Sequence, residues 1–587
     1  MTATASTASA PSKPSSASVA ARADLRWAID EPGQWEIDEA HFPTPLTPYC
    51  AEILAREFPR GFREGSARIG LLLSHFDHQI VNGFDYIAPR IVGAPKGMKG
   101  LPPRPIFKLL SWLHPEMRRR LKTAARAFEV KPWREDVALW ETEIRPQSTA
   151  THLELQRVEP DALDDAGLGR YLVRLRENAG QQYFLHHRFT VSAFLPVGDF
   201  MVHAQEWTGL PTGDLLQACR QKKGVATVAG EQFERVVAAL RADPTMVARL
   251  GTGSAANDAA ATVEALAADA GPVGAATRAW LEMTAHRLVT GYDITDLVAL
   301  EMPELLVRTL RIAIDRERVG DGREAQRALA AKVRDAVPDR FRGRYDELLA
   351  EAISISNLRE ERALVCDFWA YGLVRRALKV AGRRLAARGR IADPGHLFDA
   401  SHAEMLALVS GVGPAPSADE LARRYAYRTS VDSAIAPKAL GLPRSPPPPL
   451  AWLPPAVRRQ SRAVEMVVAA LFDEGDPRSE PKVVSGLNAS AGSYEGTARV
   501  VLRAEDFPRI QAGDVLVARM TTEAYNGIIP LLGAIVTDRG GLLTHAATVA
   551  REFGIPAVVG THDATQRLPN GARVRVDGGR GEARVIG

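Results

Sequence analysis

The residues best placed to do chemistry lie in one segment near the C-terminus, Val536 to Gly560, which reads VTDRGGLLTHAATVAREFGIPAVVG. A buried strand, Ala534 to Val536, is expected to feed a polar turn with two adjacent glycines, Gly540 and Gly541. Thr544 then stands where a helix N-cap belongs, the helix runs through Arg551, Gly554 closes it, and Ile555-Pro556 leads into the next strand. This grammar puts His545 in the first helical turn. A helix start offers unpaired N–H donors and a positive dipole end, and paired glycines let the backbone approach an anion, so the place suits a phosphoryl group. A neutral imidazole is a capable nitrogen nucleophile, and an ordinary pKa of about 6.5 keeps much of it neutral at cytosolic pH. Spacing alone equally allows a capping or surface histidine in an ordinary strand–turn–helix.

A family resemblance changes that balance. TDRGG..THAATVAREFGIPAVVG resembles the signature of the phosphohistidine swivelling domain of phosphoenolpyruvate-utilising enzymes, the group that includes pyruvate phosphate dikinase, phosphoenolpyruvate synthase, rifampin phosphotransferase and phenylphosphate synthase. Upstream, GLNASAGSYEGTARVV is similar to that domain's opening and AGDVLVARMTTEAYNGIIPLLGAIVTD to its middle, so the resemblance runs in order from Gly486 to Gly587. It implies that His545 is phosphorylated, on Nε2, and then donates the phosphoryl group, while Nδ1–H is fixed by an acceptor the sequence does not name. Thr544, Gly540, Gly541, Arg539 and Arg551 are the expected phosphoryl-binding set. Thr544 either bonds the phosphoryl oxygens or only caps the helix, and each arginine either neutralises charge or faces solvent. Members of the family carry a proline after the threonine of the middle segment, where this chain reads Thr522-Glu523-Ala524-Tyr525-Asn526.

The framework around this histidine is set by the rest of the chain. At 587 residues the length predicts roughly three to five domains. With 46% hydrophobic and 25% charged residues the chain reads as globular, and no apolar stretch approaches the roughly eighteen residues of a spanning helix. A net charge of +4 gives no pointer to nucleic acid. Cys50, Cys219 and Cys366 lie far apart without a CxxC pair, which predicts neither disulfides nor a sulfur-rich metal site and fits a cytoplasmic protein. The fold expected is a mainly α-helical N-terminal and central body followed by a C-terminal α/β domain.

Residues 1–23, rich in Ser, Thr, Ala and Pro, read as a disordered tail rather than a transit peptide. Residues 24–433 form the body. The prolines and aromatics from 24 to 160 suggest loops and short helices, and apolar spacings of three and four from Asp161 to about Gly411 predict helices. GAPKGMKG, Gly93 to Gly100, lacks P-loop spacing and reads as a basic surface loop. The Ala-rich stretch from Ser254 to Ala276 predicts a weak helix broken at Gly271-Pro272. Residues 434–483 form a proline-rich linker and hinge helix: seven of the thirteen residues from Pro443 to Pro455 are proline, a composition for a stiff spacer of roughly 40 Å. Residues 484–587, with β-branched runs such as TARVVLR, GDVLVARM and ARVRVDGG between glycines, form the α/β domain.

A second resemblance lies in the body. WLEMTAHRLVTGYDITDLVALEMPELL and LREERALVCDFWAYGLVRRALKVAGRRLAARGRI are similar to segments of rifampin phosphotransferase-like proteins, which implies an acceptor-binding body. The order of parts, with no recognisable ATP-grasp grammar before the body and no barrel after the swivelling domain, resembles phenylphosphate synthase, whose ATP-binding part is a separate polypeptide. The expected partner is therefore a separate ATP-grasp subunit that supplies Mg²⁺ and ATP, with no metal-ligand cluster on this chain. The expected acceptor is a small hydroxyl compound, aromatic or alcoholic, with neither nucleic acid nor membrane involved.

Transfer to a hydroxyl needs a base within about 3 Å of it. Candidates sit in SHFDHQ (His75, His78), FLHHRF (His186, His187) and MVHAQEW (His203), with His286 and Arg287 as further acceptor-side residues. The competing expectation is a non-catalytic phosphocarrier or regulatory binding protein phosphorylated on His545 in trans.

Overall fold

The structure is a computed structural model that describes residues 25–97, 102–219, 228–250, 256–315, 323–443, 449–472, 483–502, 504–521, 525 and 528–586. The expected tail at 1–23, the prolines at 446–448, the end of the basic loop at 98–100, the start of the Ala-rich stretch and Thr522, Glu523, Ala524 and Asn526 lie outside them.

The body is mainly helical, as its spacing predicts, but its first 160 residues are more than loops and short helices. A four-stranded antiparallel sheet, in the order β2-β3-β1-β4, is built from β1 (Gln34–Ile37), β2 (Leu73–Val81), β3 (Phe84–Ile91) and β4 (Ala439–Gly441). The β2–β3 hairpin turns at Asn82 and Gly83, both at positive φ (50° and 80°), the conformation an Asn-Gly pair adopts most readily. Alternation along β2 sends Phe76 and His78 to the opposite face from His75 and Asp77.

Strand β4 corrects the expected boundary at 433. Gln34 pairs with Gly441 and Glu36 with Ala439, so residues 439–441 complete the body's own sheet. Past the proline run, Leu453 and Val457 are buried with Phe107 and Met117 of the body. The chain is thus packed on the body on both sides of residues 444–448.

Four helices frame the interior: α1 (Pro48–Ile69), α2 (Asp165–Arg188), α3 (Thr190–Thr208) and α4 (Ala370–Ala387). Thr47 caps α1, its hydroxyl accepting from the Cys50 N–H, and Gly70 ends it at φ 84°. Asp164 caps α2 through the Gly167 N–H. Two π-helical segments, Trp140–Ile144 and Leu364–Trp369, lie side by side against α2 and α3 and share a small core of Trp140, Leu185, Phe189, Val365 and Cys366. The Ala-rich stretch forms helices Ala256–Ala268 and Pro272–Thr284, with the expected break between them. All three cysteines are buried and unpaired. Among the described residues no helix is long and apolar enough to cross a membrane.

The expected hinge helix is α5 (Pro455–Phe472). It lies on α3 so closely that a Cβ on Gly198 would fall 2.2 Å from the Ala463 carbonyl oxygen. The guanidinium of Arg459 grips the buried Asp199 carboxylate at 2.7 and 2.6 Å, and Gln460 Nε2 donates to the Ile69 carbonyl. These bonds make α5 part of the body.

The C-terminal α/β domain has an eight-stranded sheet in the order β5-β12-β11-β7-β8-β9-β10-β6. Its strands are β5 (Val483–Ser485), β6 (Leu487–Ser490), β7 (Ser493–Val501), β8 (Asp514–Ala518), β9 (Leu532–Thr537), β10 (Ala557–Val559), β11 (Arg573–Asp577) and β12 (Glu582–Val585). The stretch β7-β8-β9-β10 is parallel, and helix α6 (His545–Phe553) makes the crossover from β9 to β10. Strand alternation splits the sheet residues. Val515, Val517, Ala534 and Val536 enter a core of the domain's own, whereas Leu516, Ala518, Ile535 and Ala557 join one that continues into the body through Phe200, Tyr345 and Ala463.

Candidate functional site

His545 is the first residue of α6, at the C-terminal end of parallel strand β9, where open α/β sheets place ligands. The helix ends as its sequence predicts: Gly554 takes φ 66° and its N–H bonds the Arg551 carbonyl. At the start, Thr544 has the extended backbone of an N-cap (φ −71°, ψ 165°), but its hydroxyl does not cap; it donates to the Gly541 carbonyl at 2.7 Å. The Thr544 side chain therefore leaves the N-cap acceptor position.

The partner of Nδ1, which sequence reasoning left unnamed, is Thr521. Its Oγ1 lies 2.8 Å from His545 Nδ1. Thr521 lies just beyond β8, so adjacent parallel strands deliver the histidine and the hydroxyl that orients it. The signal was present in ARMTTEAY, where the polar run after a buried strand marks the same sheet end. Desolvation by the surrounding protein pushes the His545 pKa down to about 3, so the ring is neutral throughout the physiological range.

The turn before α6 is shaped by its glycines. Gly540 sits at φ 107°, where a Cβ would come 3.0 Å from Thr544. A Cβ on Gly541 would meet the Ala470 carbonyl oxygen at 2.4 Å. The N–H groups of Gly541 and Leu543 donate to the Leu471 and Ala470 carbonyls at 3.0 and 2.7 Å. The last carbonyls of α5, orphaned at a helix C-terminus, are thus satisfied by the backbone beside His545. Gly541 serves close packing on α5.

The two arginines part company. Arg551 turns back into the domain, where its guanidinium donates to the Ala489 and Leu542 carbonyls at 3.0 and 2.7 Å; burial lowers its pKa to about 10. In this geometry it braces the turn and does not reach a phosphoryl group. Arg539 reaches out and pairs with Glu39 of the body at 3.2 Å, and Arg519 pairs with Asp432 of the body at 3.3 Å. The α/β domain is therefore docked with its histidine turn against the segment around Glu39.

Of the acceptor-side histidines, the structure brings three together and leaves three apart. His78, His186 and His187 converge between α1, α2 and the first sheet, around the ring of Phe58. The Phe58 centroid lies 4.5 Å from that of His78 and 3.8 Å from that of His187, and His186 stacks on His187 at 4.5 Å. His78 Nδ1 lies 3.0 Å from Asp85, and His186 Nδ1 lies 2.5 Å from Asp367. Sequence reasoning missed the carboxylates and also His41, whose Nδ1 lies 2.9 Å from Asp38 Oδ2. Burial holds the His187 pKa well below its ordinary value, and that of Asp85 is raised by burial despite His78.

The others serve structure. His75 faces the other side of the sheet, in an ion-pair network with Asp77, Arg90 and Arg63. His203 bonds the Asp199 carbonyl within α3, beside the Arg459 anchor of α5. His286 sits against α4, where its carbonyl closes on Gly372, and burial lowers its pKa to about 4. Arg287 is buried over the Trp369 ring, 4.8 Å from its centroid. Among the described residues, no three or more His, Cys, Asp or Glu side chains converge as metal ligands would.

Comparison with known proteins agrees with this geometry. Residues 510–581 match the family described as PEP-utilising enzyme, mobile domain. The chain is 31% identical over 247 residues to an uncharacterised phosphotransferase, YvkC, of Bacillus subtilis, a match that covers 42% of this chain and 28% of that protein. It is 29% identical over 357 residues to an uncharacterised protein of Mycobacterium tuberculosis, covering 61% and 36%. It is 47% identical over 110 residues to phosphoenolpyruvate synthase of Aeropyrum pernix, covering 19% and 13%. The chain thus spans little more than a third, at most, of the length of these relatives. With a helical body, a C-terminal α/β domain and His545 at the head of its crossover helix, the chain carries in residues 510–581 a domain similar to the mobile domain of PEP-utilising enzymes, and it is similar in part to a phosphotransferase and to a phosphoenolpyruvate synthase.

Proposed function

We propose that this chain is the phosphohistidine component of an ATP-dependent, dikinase-like phosphotransferase of the cytoplasm. His545 takes a phosphoryl group at an ATP-grasp site on a partner subunit and passes it to a small hydroxyl acceptor held by the body. The observation that carries this reading is the Thr521 hydroxyl 2.8 Å from His545 Nδ1 at a helix start that Thr544 does not cap. With Nδ1–H donated to Thr521, the lone pair is left on Nε2, the nitrogen that attacks. Mg²⁺, bound with ATP on the partner, supplies charge neutralisation to the transferred phosphates.

In the first half-reaction the Nε2 lone pair forms the N–P bond as the P–O bond to the nucleotide breaks. The helix N–H groups and the dipole then face the bound dianion. In the second, an acceptor oxygen attacks phosphorus, the N–P bond breaks, and its electron pair returns to the imidazole. A neutral ring suits the first step, because a protonated one has no lone pair to give; in the second the ring receives the electron pair, and the proton on Nδ1 makes it the better leaving group. Travel between the two sites requires release of the Gly541 and Leu543 N–H groups from α5. It also requires release of the two ion pairs to Glu39 and Asp432, which are weak enough to exchange.

Intact-mass analysis at neutral to alkaline pH, after incubation with Mg²⁺-ATP and purified ATP-grasp candidates, tests the reading. An acid-labile gain of one phosphate in the wild type and none in His545→Ala is expected. Uptake in the alanine variant would sink the mechanism. Uptake that no small hydroxyl compound discharges would favour a phosphocarrier whose body binds a protein.

A further inference from the structure

The helix Arg104–Leu113, RPIFKLLSWL, turns only one side to the body. Phe107 is buried there with Met117, Leu453 and Val457, and its ring centroid lies 6.0 Å from that of Trp452. The other side carries Ile106, Leu109, Trp112 and Leu113, which are 48%, 52%, 67% and 55% exposed. At the helical period these four fall in one stripe about 120° wide, bordered by Arg104 and Lys108. Single exposed apolar residues are ordinary, but four on one short helix, a tryptophan among them, mark a face that meets something.

The charge around the stripe says what that is. Residues 102–131 hold eight basic and two acidic side chains, a surplus of six where the whole chain has a surplus of four, so the positive charge of the protein is gathered here. The next helix, Pro115–Val130, exposes Arg118, Lys122 and Arg126 one turn apart. Among the described residues none of Arg104, Lys108, Arg118, Lys122 and Arg126 stands in an ion pair, while Glu116 is held by Arg119 and Arg120, each at 2.7 Å. A second copy of the chain would bring this positive charge against itself. Residues 1–23, with two basic residues and neither an acid nor an aromatic, do not complement it either.

We propose that this corner of the body docks on a membrane surface rich in anionic lipid, with the helix Arg104–Leu113 lying in the plane of the headgroups. Ile106, Leu109 and Leu113 enter the acyl boundary. Trp112 sits at headgroup level, where its apolar ring and its N–H both find partners. Arg104 and Lys108 reach lipid phosphates from the border of the stripe, and Arg118, Lys122 and Arg126 add attraction within a Debye length. Ten residues lie on a bilayer and do not cross it, and no helix among the described residues is long and apolar enough to do so. The net charge of the whole chain conceals this concentration, so composition alone pointed away from a membrane. The inner side of the helix rests on Trp452 and Leu453, which lead into α5, so lipid is held by the helix that also seats the approach to the α/β domain.

Flotation of the full chain with lipid vesicles tests this. Phosphatidylcholine vesicles with about 30% phosphatidylglycerol are expected to bind it at least tenfold more tightly than phosphatidylcholine alone, a preference that about 0.5 M salt removes. Leu109→Asp is expected to weaken binding at least tenfold, and Lys108→Gln and Lys122→Gln about fivefold each. All three side chains are exposed, so the fold does not depend on them. Lipid brominated on its acyl chains is expected to quench part of the tryptophan emission of the wild type, and that part must vanish in Trp112→Leu, a readout that needs no loss of binding. Absence of vesicle binding, equal binding to neutral vesicles, wild-type binding by Leu109→Asp, or the same quenching in Trp112→Leu would overturn the proposal. So would a dimer in sedimentation velocity that Leu109→Asp dissolves, or a purified ATP-grasp partner that covers the stripe in a chain that ignores vesicles. Phosphoryl uptake by His545 is read separately, so the carrier reading and this one fail independently.

Discussion

The carrier histidine and the body histidines are held in opposite ways. His545 has a hydroxyl on Nδ1, whereas His41, His78 and His186 each have a carboxylate within 3.0 Å. A carboxylate on Nδ1 would stand about 6.5 Å from a phosphoryl dianion on Nε2 and oppose it by about 5 kcal/mol at an effective dielectric of 20. A hydroxyl orients the ring with no such cost. For a base the preference reverses, because a nearby carboxylate stabilises the imidazolium that forms. The partner of each ring thus separates the group that carries phosphate from those fit to carry a proton.

Exchanging the partners should do most to erase that distinction. Thr521→Asp puts a carboxylate beside the carrier and is expected to lower the rate of phosphoryl uptake at least 100-fold, whereas Thr521→Val, which loses one hydrogen bond of about 1 kcal/mol, costs about tenfold. Uptake by Thr521→Asp at the wild-type rate would show that charge beside Nδ1 does not matter. Gly541→Ala comes next. Its Cβ meets the Ala470 carbonyl and is expected to weaken docking on α5 by about 1–3 kcal/mol, read as faster hydrogen exchange at the amides of residues 541 and 543.

Acid gives a graded test. With the folded pKa of His545 lowered to about 3 against an ordinary value of about 6.5, the undocked or unfolded state binds the proton first. Stability from this ring is constant above about pH 6.5 and is lost as pH falls from there toward 3. Titration of the ring by NMR checks it; a midpoint near 6.5 in the docked protein would contradict the burial. The smallest effect belongs to Arg539→Gln, which removes a half-buried ion pair to Glu39 and should weaken docking by about 1 kcal/mol, less at high salt.

Local grammar made the α/β domain readable from sequence. Thr544, Gly554 and the β-branched runs each carry their own backbone preference, and helix α6 ends where they place it. The body's sheet escaped because β4 comes from residues far along the chain and its pairing has no local mark, although the Asn82-Gly83 turn announced the hairpin. The proline run suggested a stiff spacer and hinge from composition, yet the burial of Leu453 and the Arg459–Asp199 bond tie helix α5 to the body. In the site, the position of His545 at a helix start was legible from the strand, the glycine turn and the extended Thr544 backbone, while its role came from the family resemblance. Thr521, Asp85 and Asp367 were not legible, since a partner's identity depends on which strands and helices become neighbours. Arg551 looked like a phosphoryl ligand because it shares a helix with the histidine; the fold points it instead at the carbonyls of Ala489 and Leu542.

Identification of the phosphorylated nitrogen is the sharpest test of the carrier. Phosphohistidine isolated from the chain after uptake from Mg²⁺-ATP and its partner is resolved into its two isomers by NMR. Phosphorus is expected on Nε2 of His545, with Nδ1 still bonded to Thr521. Phosphorus on Nδ1, or on a histidine of the body, would contradict the role given to Thr521 and to His545 itself.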